Sequence, residues 1–145
     1  MTQLIEPRRI GPTDIDLVAR VDPRLEPASA SRQHIVDLLG VGMSWAVVLG
    51  EHAVGFAIVT RHFYGFPFVD LLHVNQAHRR EGVGQALMDH CEAAHDADRI
   101  FTSTNESNAP MRRLLAKADW SVSGLIENLD PGDPELVFVK FKDPG

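Results

Sequence analysis

The chain has 145 residues, 44% hydrophobic and 23% charged, a balance suited to a single folded domain with its own core. Its formal net charge of −6 argues against non-specific binding to nucleic acid, which needs a basic surface. The single cysteine excludes an intramolecular disulfide, no apolar run approaches the ~20 residues of a membrane-spanning helix, and the first residues lack the apolar core of a secretion signal, so a cytoplasmic protein is expected.

Residues 5–10 read as a first strand, stopped by Gly11-Pro12-Thr13. Thr13 is a plausible N-cap, and Ile15, Leu17, Val18 and Val21 form a helical stripe up to Asp22-Pro23. After the loop "RLEPASAS", a second helix starts near Ser29 or Ser31, runs through Ile35, Val36, Leu38 and Leu39, and stops at Gly40 and Gly42. Two apolar runs follow, 44–49 and 53–60, joined through Gly50-Glu51-His52 as a hairpin. Residues 61–68 read as a connection broken by Gly65 and Pro67, and 68–74 as the next strand. A helix over 84–96 carries the stripe Ala86, Leu87, Cys91 and Ala94. Residues 99–104 are a strand and 109–118 a helix, with Ser107 or Asn108 as its N-cap and Pro110 in its first turn. Strands at 120–127 and 135–141 close the chain around the turn-rich "NLDPGDP".

This order predicts an α+β (mixed α/β) fold. Its sheet is mixed but mostly antiparallel, with about six or seven strands and about four flanking helices. The helix between 68–74 and 99–104 is a crossover, so those two strands should run parallel.

The stretch "HVNQAHRREGVGQALMDH" carries the strongest chemical signal. A strand ends in a glycine turn that opens a helix, and the first N–H groups of a helix have no internal partner. Arg79 and Arg80 add two cations to a chain that is otherwise acidic. A dinucleotide fingerprint fails, because its third glycine falls on Leu87, and the lysine-containing phosphate loop of nucleotide hydrolases is absent. The pattern R-x-x-G-x-G is satisfied by Arg79, Gly82 and Gly84, and a plain helix start with a solvated charge cluster gives the same letters.

The surrounding run, with Leu72-His73-Val74, Arg79, Gly82, Gly84 and Leu87, resembles the acetyl-CoA-binding motif of the GNAT superfamily of acyl-CoA-dependent N-acetyltransferases. "SNAPMRRLLAKADW" is similar to that family's later signature, aligned on Asn108, Leu114, Lys117 and Trp120. The element order agrees along nearly the whole chain, so the resemblance implies one GNAT domain over 1–145. It also implies that the two parallel strands splay apart around acetyl-CoA as co-substrate. The backbone of Leu72, His73 and Val74 would then hold the pantetheine and polarise the thioester carbonyl. The pyrophosphate would rest on Arg79, Arg80, Glu81, Gly82, Val83, Gly84 and Gln85. Asn108 would touch the cofactor arm or act as a helix N-cap.

Acyl transfer needs a neutral amine, so a general base is expected. Asp70 is the candidate, placed by strand alternation on the face of Val74, with the alternative that it only orders the strand end. His73 is the rival base and should point to the opposite face. Family members often protonate the departing thiolate with a tyrosine, but the aligned position here is Leu115. Tyr64 is the only tyrosine and lies in the segment before the cofactor strand, leaving water or Ser107 as the acid. The implied partner is an amine, on a small molecule or a protein. Glu127, Asp130, Asp133 and Glu135 would favour a cationic one, unless that loop is simply solvated. "FYGF" either borders the acceptor pocket or seals the core edge. Arg112-Arg113 reads as a solvated face or a contact to the cofactor's phosphates. No metal is expected, although Cys91 and His95 have ligand spacing, and neither nucleic acid nor membrane is a partner; a homodimer stays open. A non-catalytic acyl-CoA-binding sensor is the second function the same residues allow.

Overall fold

The computed structural model describes residues 5–21 and 30–142. Its elements are β1 (Arg8–Ile10), α1 (Ile15–Ala19), α2 (Ala30–Val41), β2 (Met43–Leu49), β3 (His52–Phe63), β4 (Phe66–Val74), α3 (Val83–Ala93), β5 (Arg99–Asn105), α4 (Ala109–Lys117), β6 (Ser121–Ile126) and β7 (Glu135–Phe141). The strands form one sheet in the order β1-β2-β3-β4-β5-β7-β6. Every pairing is antiparallel except β4 with β5, the pair joined by the α3 crossover.

β3 is buried without interruption from Ala53 to Thr60, as expected of a strand covered on both faces. Its alternation sends side chains to two cores. Ala57 and Val59 join Val83, Leu87, Met88 and Cys91 of α3 and Leu115 of α4. Phe56 and Ile58 join Val18 of α1 and Ile35, Leu38 and Leu39 of α2. The two helical layers thus lie on opposite faces of the sheet. The α3 stripe is Val83, Leu87, Met88 and Cys91: Leu87 and Cys91 lie on the expected face with Ala94 packed beside them, and Val83 and Met88 rather than Ala86 complete it.

Several expectations need correction. The connection expected at 61–68 is a hairpin: β3 and β4 pair up to Phe63 and Phe66, and Tyr64 (φ 54°) and Gly65 (φ 82°) make a two-residue turn. Two successive left-handed residues match the twist of a tight hairpin. Pro67 survives inside β4 because the ladder is irregular between Thr60 and Phe63, so no pairing N–H is lost there. The first strand is shorter than 5–10. Asp14 rather than Thr13 ties the next turn, accepting from the Gly11 N–H at 2.9 Å. A 3-10 turn (Pro12–Asp14) precedes α1. Asp22, Pro23 and Ser29 lie outside the described residues. Helix α2 passes through Gly40 to Val41, and α3 ends at Ala93 rather than 96.

Candidate functional site

β4 and β5 pair at only two positions, Phe68 with Phe101 and Val69 with Thr102. Both strands run on, to Val74 and Asn105, but no ladder joins them there. Below this fork an aromatic cluster clamps the strands together. Phe63 stands 4.9 Å from Phe68 and 5.0 Å from Phe101, and Phe66 stands 5.5 Å from Phe101, centroid to centroid. The "FYGF" aromatics therefore seal the closed end of the pair, and Tyr64 projects there, 87% exposed. At the fork the buried Thr102 hydroxyl donates to the Val69 carbonyl at 3.0 Å, forming the last rung. Beyond it, Leu72, His73 and Val74 have β3 on one side and a gap on the other.

The glycine turn lies at the open end. Asn75, which sequence reasoning passed over, stitches its start. Its backbone N–H donates to the Val54 carbonyl at 2.7 Å, its amide donates to the Val21 carbonyl at 3.2 Å, and its Oδ1 accepts from the Ala77 N–H at 2.9 Å. An Asn directly after a strand and three residues before a basic turn was the available signal. A 3-10 turn (Gln76–His78) follows, and Arg79 is extended. Arg80 (φ 66°) and Gly82 (φ 87°) are both left-handed, the kind of backbone that curls N–H groups into an anion-binding concavity. Holding Arg80 there costs on the order of 1 kcal/mol, a strain glycine avoids at position 82.

Helix α3 starts on Gly82 with no side-chain cap, and the first intrahelical bond is Ala86 N–H to the Gly82 carbonyl. The N–H groups of Val83, Gly84 and Gln85 thus precede the helical ladder and carry its positive end. Glu81 is turned aside by His78, whose Nδ1 stands 3.0 Å from its carboxylate. Gln85 bonds along the helix to Asp89 at 2.8 Å. Among the described residues neither Arg79 nor Arg80 forms an ion pair. The turn is pressed onto the sheet because Gly55 lies under it. A Cβ at position 55 would stand 2.7 Å from Val83 Cγ1 and 3.1 Å from the His73 carbonyl. Gly84 in turn lets Leu114 of α4 approach.

Asp70 is the first residue past the last β4–β5 rung. It does not share the face of Val74, as simple alternation required. The register steps from Ile58–Leu71 to Val59–Val69, so Asp70 is the extra residue of a β-bulge. Val69 and Leu72 consequently face the α3 core although three residues apart, whereas Leu71 packs into the α2 core. Asp70 receives the Thr60 hydroxyl at 2.5 Å and senses His62 of β3 and His34 of α2. His73 stacks on Phe56 at 5.5 Å and faces this same side, not the opposite one. Burial raises the Asp70 carboxyl above its ordinary range, opposed by the Thr60 hydrogen bond and by the two histidines.

Asn108 caps α4, its Oδ1 accepting from the Met111 N–H at 3.2 Å while its amide donates to Thr104 at 3.0 Å. Asn108→Ala is expected to lower stability by about 1 kcal/mol in denaturant unfolding. It should leave acetyl-CoA affinity within about twofold, and a parallel loss of affinity would assign the side chain to the cofactor arm. Ser107 is engaged through both N–H and hydroxyl by Asp133, at 3.0 and 2.6 Å. Asp130 accepts from Asn105, and Glu135 from Ser103. Three of the loop's four carboxylates therefore tie it to the end of β5, and Glu127 makes no such bond among the described residues. Leu115 is fully buried. Burial pushes the Cys91 thiol up to about 12, which removes it as a nucleophile. No cluster of three or more metal-ligating side chains occurs among the described residues. No helix among them is long and apolar enough to cross a membrane.

The family model for the acetyltransferase (GNAT) family matches residues 16–120. An acetyltransferase of the GNAT family from Bacillus cereus ATCC 10987 has the same fold, with a TM-score of 0.84 and 27% identity over 97% of this chain and 99% of that one. The ribosomal-protein-S18-alanine N-acetyltransferase of Escherichia coli is similar at a TM-score of 0.78 and 15% identity, over 94% and 92% of the two chains. A Bacillus anthracis str. Ames structure in complex with acetyl coenzyme A aligns at a TM-score of 0.64 and 14% identity, over 70% and 63%. No curated protein matches the sequence. The family model spans α1 to α4, and with them the forked strands and the turn between them: the chain belongs to the acetyltransferase (GNAT) family.

Proposed function

We propose that the protein transfers the acetyl group of acetyl-CoA to a primary amine, on a small molecule or a protein, by direct attack in a ternary complex. The observation that carries this reading is the parting of β4 from β5 beyond Val69 and Thr102, directly beside the uncapped start of α3. The pyrophosphate binds the N–H groups of Arg79 to Gln85, with Arg79 and Arg80 as counter-charges. The pantetheine lies along Leu72 to Val74 in the gap, where one strand N–H polarises the thioester carbonyl. Such a donor contributes about 2.7–4 kcal/mol to the transition state. The fit is local: left-handed Arg80 and Gly82 curl the backbone of the turn, and the N–H groups of Val83, Gly84 and Gln85 that follow have no side-chain cap.

An alkylamine is mostly protonated at neutral pH, with a pKa near ~10.4. Asp70 accepts that proton, directly or through water. The neutral amine nitrogen then bonds to the thioester carbon, the C–S bond breaks, coenzyme A leaves as thiolate, and the remaining excess proton on nitrogen passes to that thiolate or to water, giving the neutral amide. Its pKa near ~8.5 makes it a tolerable leaving group without an acid. That matters here, because Leu115 is buried, Ser107 is held by Asp133 and Tyr64 lies at the closed end. The same three facts favour a second reading, an acyl-CoA-binding module without turnover.

A thermal shift with acetyl-CoA, coenzyme A and ATP tests the first step. At 100 times its Kd, acetyl-CoA should add about 2.7 kcal/mol of stability, and ATP far less. Free-thiol release across a panel of amines then separates the two readings. Turnover with one or more amines supports the enzyme, and binding without turnover on every amine supports the module. Equal shifts with ATP and acetyl-CoA would count against both.

A further inference from the structure

We propose that Thr60 is the positioning residue of the acceptor side: its hydroxyl fixes one oxygen of the Asp70 carboxylate so that the other is presented to the amine. This rests on the reading of Asp70 as the general base and adds the residue that aims it.

Thr60 lies on β3, only 4% exposed, and its χ1 is stiff because it is β-branched. Its Oγ1 accepts from the His62 backbone N–H at 3.2 Å and donates to Asp70 Oδ1 at 2.5 Å. The hydroxyl is therefore held from one side, and its single proton is committed to the carboxylate. Among the described residues no other side chain donates to Asp70. A bulged residue has no ladder partner to fix its direction, so the orientation of Asp70 depends on Thr60, chiefly through this hydroxyl and to a lesser degree through the Thr60 backbone N–H. The position also matters, because Asp70 is the first β4 residue past the last rung with β5.

The charged form of a carboxylate gains from a hydroxyl donor more than the neutral form does. The bond to Thr60 thus opposes the burial that raises the Asp70 carboxyl, as do His62 on β3 and His34 on α2. Removing the hydroxyl should move Asp70 to higher pH and loosen its aim together. A residue that only packed the core would do neither.

The test compares wild type with Thr60→Val, Thr60→Ser and Asp70→Asn, each checked for folding by acetyl-CoA binding. Thr60→Ala replaces Thr60→Val if the latter does not fold. Carbon-13 NMR of the Asp70 carboxyl gives its titration midpoint without any turnover. Thiol release is followed with acetyl-CoA and the fastest of spermidine, tyramine and an alanine-initiated peptide. Thr60→Val should move the midpoint to higher pH, move the acidic limb of the rate profile with it, and lower kcat about tenfold. Thr60→Ser should restore both, and acetyl-CoA affinity should stay within about twofold throughout. An unmoved midpoint and an unchanged rate in Thr60→Val would overturn the proposal. Full turnover in Asp70→Asn would instead sink the base reading, and the positioning role with it, in a separate arm of the same experiment.

Discussion

Asp70→Asn is expected to lower kcat/KM by about a hundred- to ten-thousandfold while making the protein more stable at neutral pH. The first effect follows from losing the proposed general base. The second follows from the environment of the side chain. Asp70 is half-buried and its carboxyl is raised from 3.8, with burial as the largest cause. The folded state therefore favours the neutral acid. That contribution to stability is fully present below the unfolded-state value and is lost as pH rises through the raised folded-state value. Above that window wild type carries a desolvated charge that asparagine does not. The Thr60 hydroxyl can still donate to the asparagine oxygen, so the hydrogen bond is kept. Thermal unfolding of the two proteins from pH 3 to pH 8 should give similar midpoints at the acid end and a gap in favour of the variant that opens with pH and then levels. A variant less stable than wild type at pH 7 would mean that the carboxylate is held by favourable charges instead. Stability gained on deleting Asp70 would be the mark of a site kept strained for function.

Gly55→Val should damage cofactor binding from a residue that touches no cofactor. Position 55 is on β3, beneath the start of α3. A Cβ there meets Val83 Cγ1 at 2.7 Å, the His73 carbonyl at 3.1 Å and Leu87 Cδ1 at 3.1 Å. Val83 is a side-chain end and can rotate, but the His73 carbonyl is backbone of β4 and cannot yield alone. Overpacking of this kind costs about 1–3 kcal/mol. For a chain of this size that is a fall in Tm of several degrees. The strain would also lift the N-terminus of α3 and shift the open end of β4, the two elements between which acetyl-CoA is proposed to bind. Affinity for acetyl-CoA is expected to drop more than about tenfold, since misplacement by about 1 Å can cost two orders of magnitude in a preorganised site. Gly124→Ala is the control, because a Cβ there meets nothing within 4 Å. Calorimetric titration of both variants with acetyl-CoA checks this, and wild-type affinity in Gly55→Val would show that the seat of α3 does not govern the turn.

The element order was legible because hydrophobic periodicity changes with each element and glycine, proline and asparagine punctuate the boundaries. The parallel pair followed from a single helix between two strands. The glycine turn was legible for a related reason: left-handed backbone at Gly82 and close packing at Gly84 leave glycine as a trace in the sequence. What stayed hidden depends on partners distant in the chain. The fork between β4 and β5 is a loss of pairing, which no residue type signals. The bulge at Asp70 shifts the face of one side chain without changing the composition of the strand. Alternation alone therefore put Asp70 and His73 on opposite sides when the structure puts them together. Tyr64-Gly65 was read as part of a connection because Pro67 looked like a strand breaker, and only the irregular ladder opposite explains why it is not. The carboxylates of residues 130–135 looked free for an acceptor, yet Asn105, Ser107 and Ser103 hold three of them. Thr60 gave no signal at all, since its role appears only when β3 lies beside β4.

Backbone amide NMR during titration with acetyl-CoA tests the cofactor placement most directly. The largest shifts should fall on the N–H groups of Gly82, Val83, Gly84 and Gln85 and on Leu72 to Val74, with the β6–β7 strands outside Asn105 contact little affected. Saturating acetyl-CoA that left those amides unmoved, or moved a different surface, would contradict it.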